Sequence, residues 1–211
     1  MKKISYFIAI VIFNGCTTVA SNEIIKLDSQ SITTESPNII EAKLEATPFD
    51  IWERIRLELT LKIPEDQIAS TSVYRERLYK NQSAVNRISK SGQRYLYHTL
   101  TRAEELGLPV ELALLPFVES EFDPYAKSID GATGIWQFMP ATGKEWGLKS
   151  NWWYDGKKDV LASTEAALQF LTYLHEKFDG DWLLAMAAYN TGPSRVNRAI
   201  RTNKRENKPI R

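Results

Sequence analysis

Residues 109–124 read PVELALLPFVESEFDP, an apolar run that ends in a group of carboxylates. The first part of this segment, from Pro109 to Val118, is apolar on nearly every side, which predicts a helix that lies in the core. Pro116 removes one donor from the helical ladder, so a kink or an early end is expected there. The segment therefore places the carboxylate of Glu119 against the most hydrophobic surface of the chain.

A carboxylate in this position would be partly desolvated. Desolvation favours the protonated form of a carboxyl group, which is the form that a general acid needs near neutral pH. The alternative interpretation is a solvated glutamate at a helix end. Glu121 and Asp123 are rival acids in the same segment, whereas Phe122 and Pro124 indicate a tight turn.

Helical periodicity continues on the N-terminal side of this segment. Asp50 is predicted to cap a first helix, with Glu53 as its capping-box partner. A polar helix is predicted over residues 72–90. Gly107 stands where the C-terminal cap of a third helix is expected. The apolar positions of that third helix are Leu96, Leu100, Ala103 and Leu106.

The C-terminal side is helical as well. Apolar residues recur at helical spacing over residues 159–178, and Asp181 is predicted to cap another apolar helix that runs through Tyr189. Gly192 and Pro193 end that helix and begin a last one. Because no segment alternates as a β-strand does, the predicted fold class is an all-α domain.

The composition sets broad limits on function. A chain of 211 residues with 43% hydrophobic residues can bury a core and suggests one domain plus appendages. The formal net charge of +1 neither favours nor excludes an anionic partner. A single cysteine excludes an internal disulfide, and His98 and His175 are too scattered for a metal site. We therefore expect no metal and no cofactor.

The N-terminus has the anatomy of a signal peptide over residues 1–15. Two lysines precede an apolar run that is far shorter than the roughly 20 residues needed to span a bilayer. The run ends in Gly15 and Cys16, which resemble the lipobox of bacterial lipoproteins and predict lipidation of Cys16. Since Thr17 follows in place of an aspartate, an outer-membrane lipoprotein facing the periplasm is expected. The alternative is an ordinary cleaved signal with an incidental thiol.

Two further regions follow the signal peptide. Residues 16–47 are rich in Ser, Thr, Asn and Glu without a sustained apolar period, which predicts a flexible tether. The folded domain is expected over residues 48–211.

A second chemistry-bearing segment lies between Ser128 and Pro140. Its glycines permit close approach of the backbone to a ligand, and the amide of Gln137 can both donate to and accept from sugar hydroxyl or acetamido groups. A third motif, AYNTG, occupies residues 188–192.

Together these motifs resemble the catalytic domain of family 1 lytic transglycosylases, which has the soluble-transglycosylase or goose-lysozyme-like fold. The similarity extends from about Phe49 to about Asn203 and includes DIWERI at residues 50–55 and FDGDWLL at residues 178–184. Three separated motifs in the same order as in the family make the resemblance highly specific.

The resemblance implies that Glu119 is the catalytic acid and base. Ser120 would be its partner, and Tyr189 would face it. For Met139 and Asn190, a structural role and a role in sugar contact are equally favoured alternatives. The residues that match the substrate-binding positions of the family are Ser120, Ser128, Gln137, Met139, Tyr189 and Asn190.

The implied reaction is non-hydrolytic cleavage of the bond between N-acetylmuramic acid and N-acetylglucosamine, which leaves 1,6-anhydro ends. The implied partners are peptidoglycan glycan strands and, through the lipid anchor, a membrane; no nucleic-acid partner is expected. A lysozyme-type hydrolase and a non-catalytic peptidoglycan-binding lipoprotein are the alternatives. The family pattern leads us to expect further helices after Asn203, whereas the sequence ends at Arg211; either the chain is a shortened version of the domain or part of its cleft is missing.

Overall fold

The structure is a computed structural model that describes residues 50–62, 68 and 71–210. The predicted signal peptide, the predicted tether and Cys16 lie outside these residues. The helices with assigned bounds are, in chain order, α1 (Ile51–Glu58), α2 (Ser72–Lys80), α3 (Gln82–Gly92), α4 (Leu96–Glu105), a 3₁₀ helix (Val110–Leu114), α5 (Leu115–Ser120), α6 (Pro140–Glu145), α7 (Val160–Lys177), α8 (Trp182–Thr191) and α9 (Pro193–Arg205).

The prediction of an all-α fold is confirmed. Within the residues that the structure describes, β-pairing is limited to isolated bridges in loops. None of the described helices is both long and apolar enough to cross a membrane.

The polar region predicted as one helix over residues 72–90 is divided into α2 and α3, so the single-helix prediction is wrong. Asn81 lies between them outside the helical conformation, and its side-chain oxygen accepts a hydrogen bond from the Ala84 N–H at 3.0 Å. An asparagine that caps a new helix competes with continuation of the old one. This local competition ends α2 and starts α3.

Helix α7 forms the centre of the core. Asp159 caps it by accepting a hydrogen bond from the Ala162 N–H at 3.0 Å, as its position at the start of the apolar pattern suggested. Leu168, Leu171 and Leu174 on its inner face are completely buried. Truncating one such leucine to alanine costs about 2–5 kcal/mol in domains of this kind. The inner face packs against α4 and α8.

Helix α8 begins and ends as the sequence predicts. Asp181 caps it by accepting hydrogen bonds from the N–H groups of Leu183 (2.9 Å) and Leu184 (3.1 Å). Gly192 ends it with a φ of 87°, a backbone conformation that favours glycine, and Pro193 then starts α9. Because α8 packs on both α7 and α9, its last turn is held firmly in place.

The segment over residues 109–124 differs from its prediction in helix type. A single α-helix from Pro109 is wrong, because residues 110–114 form a 3₁₀ helix and α5 begins only at Leu115. Pro116 lies in the first turn of α5, where its missing N–H costs no helical hydrogen bond. The predicted interruption is thus present as a change of helix type just before Pro116.

Candidate active site

Glu119 lies in the last turn of α5, and the chain reverses directly after it. Glu121 and Phe122 both adopt positive φ angles, 54° and 59°, which non-glycine residues rarely do. Phe122 is buried and packs edge-on against Phe117 with ring centroids 4.7 Å apart. Burial of this ring offsets the backbone strain, so the turn holds the end of α5 and the partly buried Glu119 in one position.

The rival carboxylates of this segment are engaged elsewhere. Glu121 receives two hydrogen bonds from the Arg87 guanidinium, at 2.9 Å and 3.1 Å, on an exposed surface. Asp123 accepts a hydrogen bond from the Tyr125 N–H at 2.8 Å and so forms part of the turn. Only Glu119 of the three is hydrogen-bonded to the Tyr-Asn motif in the described contacts.

The last turn of α8 brings Tyr189 and Asn190 to Glu119. The side-chain Nδ2 of Asn190 donates to Oε1 of Glu119 at 3.3 Å. The Tyr189 hydroxyl donates to the backbone carbonyl of Trp136 at 2.8 Å. Burial, followed by the charge of Glu119, raises the pKa of the Tyr189 phenol well above its ordinary value. A neutral phenol and an amide donor therefore lie close to the carboxylate.

A compact loop over residues 126–138 faces these groups. Bridges join Thr133 to both Lys127 and Phe138. Gly134 has a φ of 83°, and a Cβ at this position would lie 1.8 Å from the backbone oxygen of Lys157. Glycine is therefore required at residue 134 for the loop to pack against the segment that precedes α7. We call residues 126–138 the catalytic loop.

Two side chains clamp the catalytic loop between helices. Ser120 donates from Oγ to the Ile135 carbonyl at 2.9 Å, which ties the end of α5 to the loop. Trp136 is fully buried, and its indole N–H donates to Oγ1 of Thr164 on α7 at 3.0 Å. The position of the loop relative to Glu119 is thus fixed from both sides.

The predicted binding residues within the loop make internal hydrogen bonds. Ser128 Oγ accepts from the Ala132 N–H at 3.0 Å. Gln137 has a φ of 51°, and its Nε2 donates to the carbonyls of Ala126 (3.2 Å) and Gly134 (2.9 Å). These bonds give Ser128 and Gln137 a part in shaping the loop.

A cavity of about 290 Å³ opens beside these groups. Four of the residues singled out from the sequence line it: Gln137, Met139, Tyr189 and Asn190. Asn190 also bonds Glu119, so the carboxylate lies one hydrogen bond from a residue of the cavity wall. The sequence interpretation missed other lining residues, because their periodicity indicates only a core or a helix start. They include Phe138, Thr142, Phe170, Thr191 and Pro193.

The part of the chain that the structure describes contains no group of three or more His, Cys, Asp or Glu residues that could hold a metal ion. The chemistry available at the cavity is therefore that of one carboxylate, an amide, a neutral phenol and apolar walls. Such a set can move protons and bind an uncharged ligand with polar substituents.

An all-α domain in which one partly buried glutamate is hydrogen-bonded to a Tyr-Asn motif agrees with the family resemblance of the sequence. The comparison with family models agrees: the Transglycosylase SLT domain matches residues 89–210, and the chain belongs to this family.

Several characterised relatives are similar to the chain. Membrane-bound lytic murein transglycosylase D of Escherichia coli K12 is 36% identical over 220 residues, which cover 99% of this chain and 47% of that protein. A putative tributyltin chloride resistance protein of an Alteromonas species is 47% identical over 122 residues, 58% of this chain and 59% of that protein. Soluble lytic murein transglycosylase of Salmonella typhimurium is 30% identical over 108 residues, covering 48% and 16% of the two chains. The chain thus spans about half the length of the first relatives it matches.

Proposed function

We propose that this chain is a peptidoglycan lytic transglycosylase that cleaves the β-1,4 bond between N-acetylmuramic acid and N-acetylglucosamine without water. The observation that carries the proposal is the pairing of the partly buried Glu119 with Asn190, which lines a cavity of about 290 Å³. Membership of the Transglycosylase SLT family supports it, as do the names of the lytic murein transglycosylases to which the chain is similar.

In the proposed reaction Glu119 performs both proton transfers. As a carboxylic acid it gives its proton to the glycosidic oxygen, and the bond from muramic C1 to that oxygen breaks. The acetamido group of the same sugar stabilises the oxocarbenium-like centre. As a carboxylate, Glu119 then takes the proton of the muramic 6-hydroxyl, whose oxygen bonds to C1 and closes the 1,6-anhydro ring. Because the 6-hydroxyl belongs to the same sugar as C1, it reacts with an effective-concentration advantage over water.

A two-carboxylate glycosidase would need a second acid placed across the bond. In this segment Glu121 is paired with Arg87, and Asp123 is part of a turn. This favours a mechanism with one carboxylate.

The remaining site residues take supporting parts in this proposal. Asn190 orients the carboxylate through its 3.3 Å hydrogen bond, and Tyr189 presents a neutral phenol at the cavity. Gln137 and Met139 contact sugar substituents along the cavity wall. Ser120 and Ser128 maintain the catalytic loop through their hydrogen bonds to its backbone. No cofactor enters any step.

The test is the mass of the products released from purified sacculi. The proposal expects muropeptides with 1,6-anhydro ends, lighter by one water than hydrolysis products. Reducing muramic ends would instead identify a hydrolase on the same fold. Binding of sacculi without release of any product would identify a peptidoglycan-binding protein.

We further propose that the chain is an outer-membrane lipoprotein anchored through Cys16 and facing the periplasm. The similarity to a relative named as membrane-bound supports an envelope location. Replacing Cys16 by Ala should move the protein from the membrane fraction to the soluble fraction, which immunoblotting of fractionated cells would measure. If the Cys16→Ala protein still fractionates with membranes as the wild type does, the anchor lies elsewhere.

A further inference from the structure

Two adjacent tryptophans stand out from the surface near the catalytic loop. Trp152 is 94% exposed and Trp153 is 72% exposed, whereas Trp136 is completely buried. Large exposed aromatic surface concentrated on one turn is typical of a binding site.

The turn that carries these rings is ordered by its own hydrogen bonds. The side-chain oxygen of Asn151 accepts from the N–H groups of Trp153 (3.1 Å) and Tyr154 (2.8 Å), and the Asn151 N–H donates to the Tyr154 carbonyl at 2.8 Å. The indole rings of Trp152 and Trp153 lie 6.5 Å apart at an interplanar angle of 64°. Since the backbone is already fixed, little conformational entropy would be lost when a ligand contacts the rings. We call residues 150–155 the tryptophan turn.

The base of the tryptophan turn is anchored by a largely buried ion pair between Lys157 and Asp155. The Lys157 ammonium donates to Asp155 Oδ1 at 2.6 Å and to Ser150 Oγ at 3.4 Å. Ser150 donates in turn to the same Asp155 oxygen at 2.9 Å. The Tyr154 hydroxyl donates to Asp159, the cap of α7, at 3.0 Å. These bonds attach the turn to the central helix of the core.

The same anchor joins the tryptophan turn to the active site. The backbone of Lys157 is the surface against which Gly134 of the catalytic loop packs. The Lys157 side chain also lies under α6, since a Cβ at Gly143 would be 3.2 Å from its Cγ and Cδ. Helix α6 starts directly after Met139, which lines the cavity. This helix has six residues and is about 9 Å long. The turn is therefore connected through Lys157 to the catalytic loop and to α6, both of which contribute residues to the cavity wall.

We propose that Trp152 and Trp153 form an accessory binding site for the pyranose rings of a glycan strand whose reacting bond lies at Glu119. The proposal rests on the proposed function, because it takes its ligand class from there. A sugar ring presents an apolar C–H face that packs on a flat indole, and a polymer is long enough to contact the turn and the cavity together. Binding energy from such remote contacts positions the reacting unit. Two partners could contact exposed tryptophans: a ligand that also enters the cavity, or a membrane surface. The connection through Lys157 and Gly134 favours the ligand shared with the cavity.

The experiment measures co-sedimentation of the full chain with peptide-free glycan strands, for the wild type, Trp152→Ala, Trp153→Ala and the double variant. The matched control is Tyr97→Ala, which removes an aromatic ring that is similarly exposed on α4. Each tryptophan replacement should weaken binding by about threefold to tenfold. Trp152→Phe and Trp153→Phe, which keep a flat ring, should recover part of that loss, and Tyr97→Ala should bind as the wild type does.

Kinetics add a second readout. The double variant should raise KM for long strands and leave kcat on short fragments close to wild type, because the turn does not touch the reacting bond. Binding to glycan equal to wild type in the double variant would overturn the proposal. So would a loss confined to anionic phospholipid vesicles, which would make the turn a membrane contact. The glycan-binding assay needs no turnover, so it tests the tryptophan site independently of the reaction. If the tryptophan variants lose glycan binding but the wild type makes no 1,6-anhydro ends, the proposed function is refuted and the proposed tryptophan site is not.

Discussion

Glu111 and Glu119 lie in the same segment, and the protein holds them in different ways. Glu111, on the 3₁₀ helix, is completely buried, and its Oε1 accepts hydrogen bonds from the N–H groups of Thr60 and Leu61 at 2.6 Å each. Glu119 is only partly buried and receives a side-chain hydrogen bond at 3.3 Å from Asn190, which lines a cavity. Burial is greater at Glu111, although Glu119 is the residue proposed to react with substrate. Burial alone therefore does not mark a reactive carboxylate; the hydrogen bond to a residue of the cavity wall distinguishes Glu119 from Glu111.

The two hydrogen-bond environments suit different tasks. Backbone donors fix Glu111 as a clamp between the 3₁₀ helix and the chain that follows α1. Its Oε2 is buried and has no hydrogen-bond partner within the described part of the chain, which adds a desolvation cost. The longer contact from Asn190 leaves Glu119 near a ligand that could exchange a proton with it.

Among replacements that retain a carboxylate at both residue 111 and residue 119, shortening the side chain of Glu119 should lower the cleavage rate most. Glu119→Asp retains the titratable group but withdraws it from Asn190 and from the cavity. A displacement of about 1 Å can cost about 10²-fold in rate, so we expect a loss of that order. The initial rate of 1,6-anhydromuropeptide release would measure it. A rate equal to wild type would mean that the position of the carboxylate does not matter.

Removal of the clamp should affect stability and not chemistry. Glu111→Ala abolishes two hydrogen bonds to a buried carboxyl oxygen, leaves two backbone donors without it, and should lower the free energy of unfolding by about 2–4 kcal/mol. Denaturant titration would measure it. Glu111→Gln is the matched control, because it keeps an acceptor oxygen and should lose less. Per folded molecule, the activity of both variants should equal that of wild type. A selective loss of activity at full stability would give Glu111 a catalytic role and break the contrast with Glu119.

The smallest effect is expected at Glu121, the neighbouring carboxylate on the surface. Its pair with Arg87 is exposed, and such pairs contribute about 0–1 kcal/mol to stability. Glu121→Gln and Arg87→Ala should therefore unfold at nearly the wild-type denaturant midpoint and cleave sacculi at nearly the wild-type rate. A strong loss of activity in a stable Glu121→Gln protein would show that a second acid takes part.

The helices were predictable where their signals are local. The caps at Asp50 and Asp181 lie where the sequence places them, because a cap and an apolar stripe depend on neighbouring residues alone. The division at Asn81 was missed because the helix before it, α2, is polar and its periodicity is weak. The 3₁₀ form of residues 110–114 was missed because an all-round apolar pattern does not distinguish helix types.

The candidate site was predictable in part. The family resemblance brings together Glu119, Tyr189 and Asn190, which the structure places side by side. The bond from Trp136 to Thr164 joins residues far apart in the chain, and no local pattern indicates it. Composition also does not tell which aromatic side chains find partners in the core, so the sequence did not indicate that Trp152 is among the exposed ones.

The most direct test of the central claim is the rate of 1,6-anhydromuropeptide release by Glu119→Gln, measured on the same samples as binding to sacculi. This replacement keeps the shape of the side chain and removes the group that would perform both proton transfers. We expect wild-type folding by thermal unfolding, retained binding, and a rate lower by at least about 10² to 10⁴. A correctly folded Glu119→Gln protein that releases 1,6-anhydromuropeptides at a rate near wild type would contradict the account.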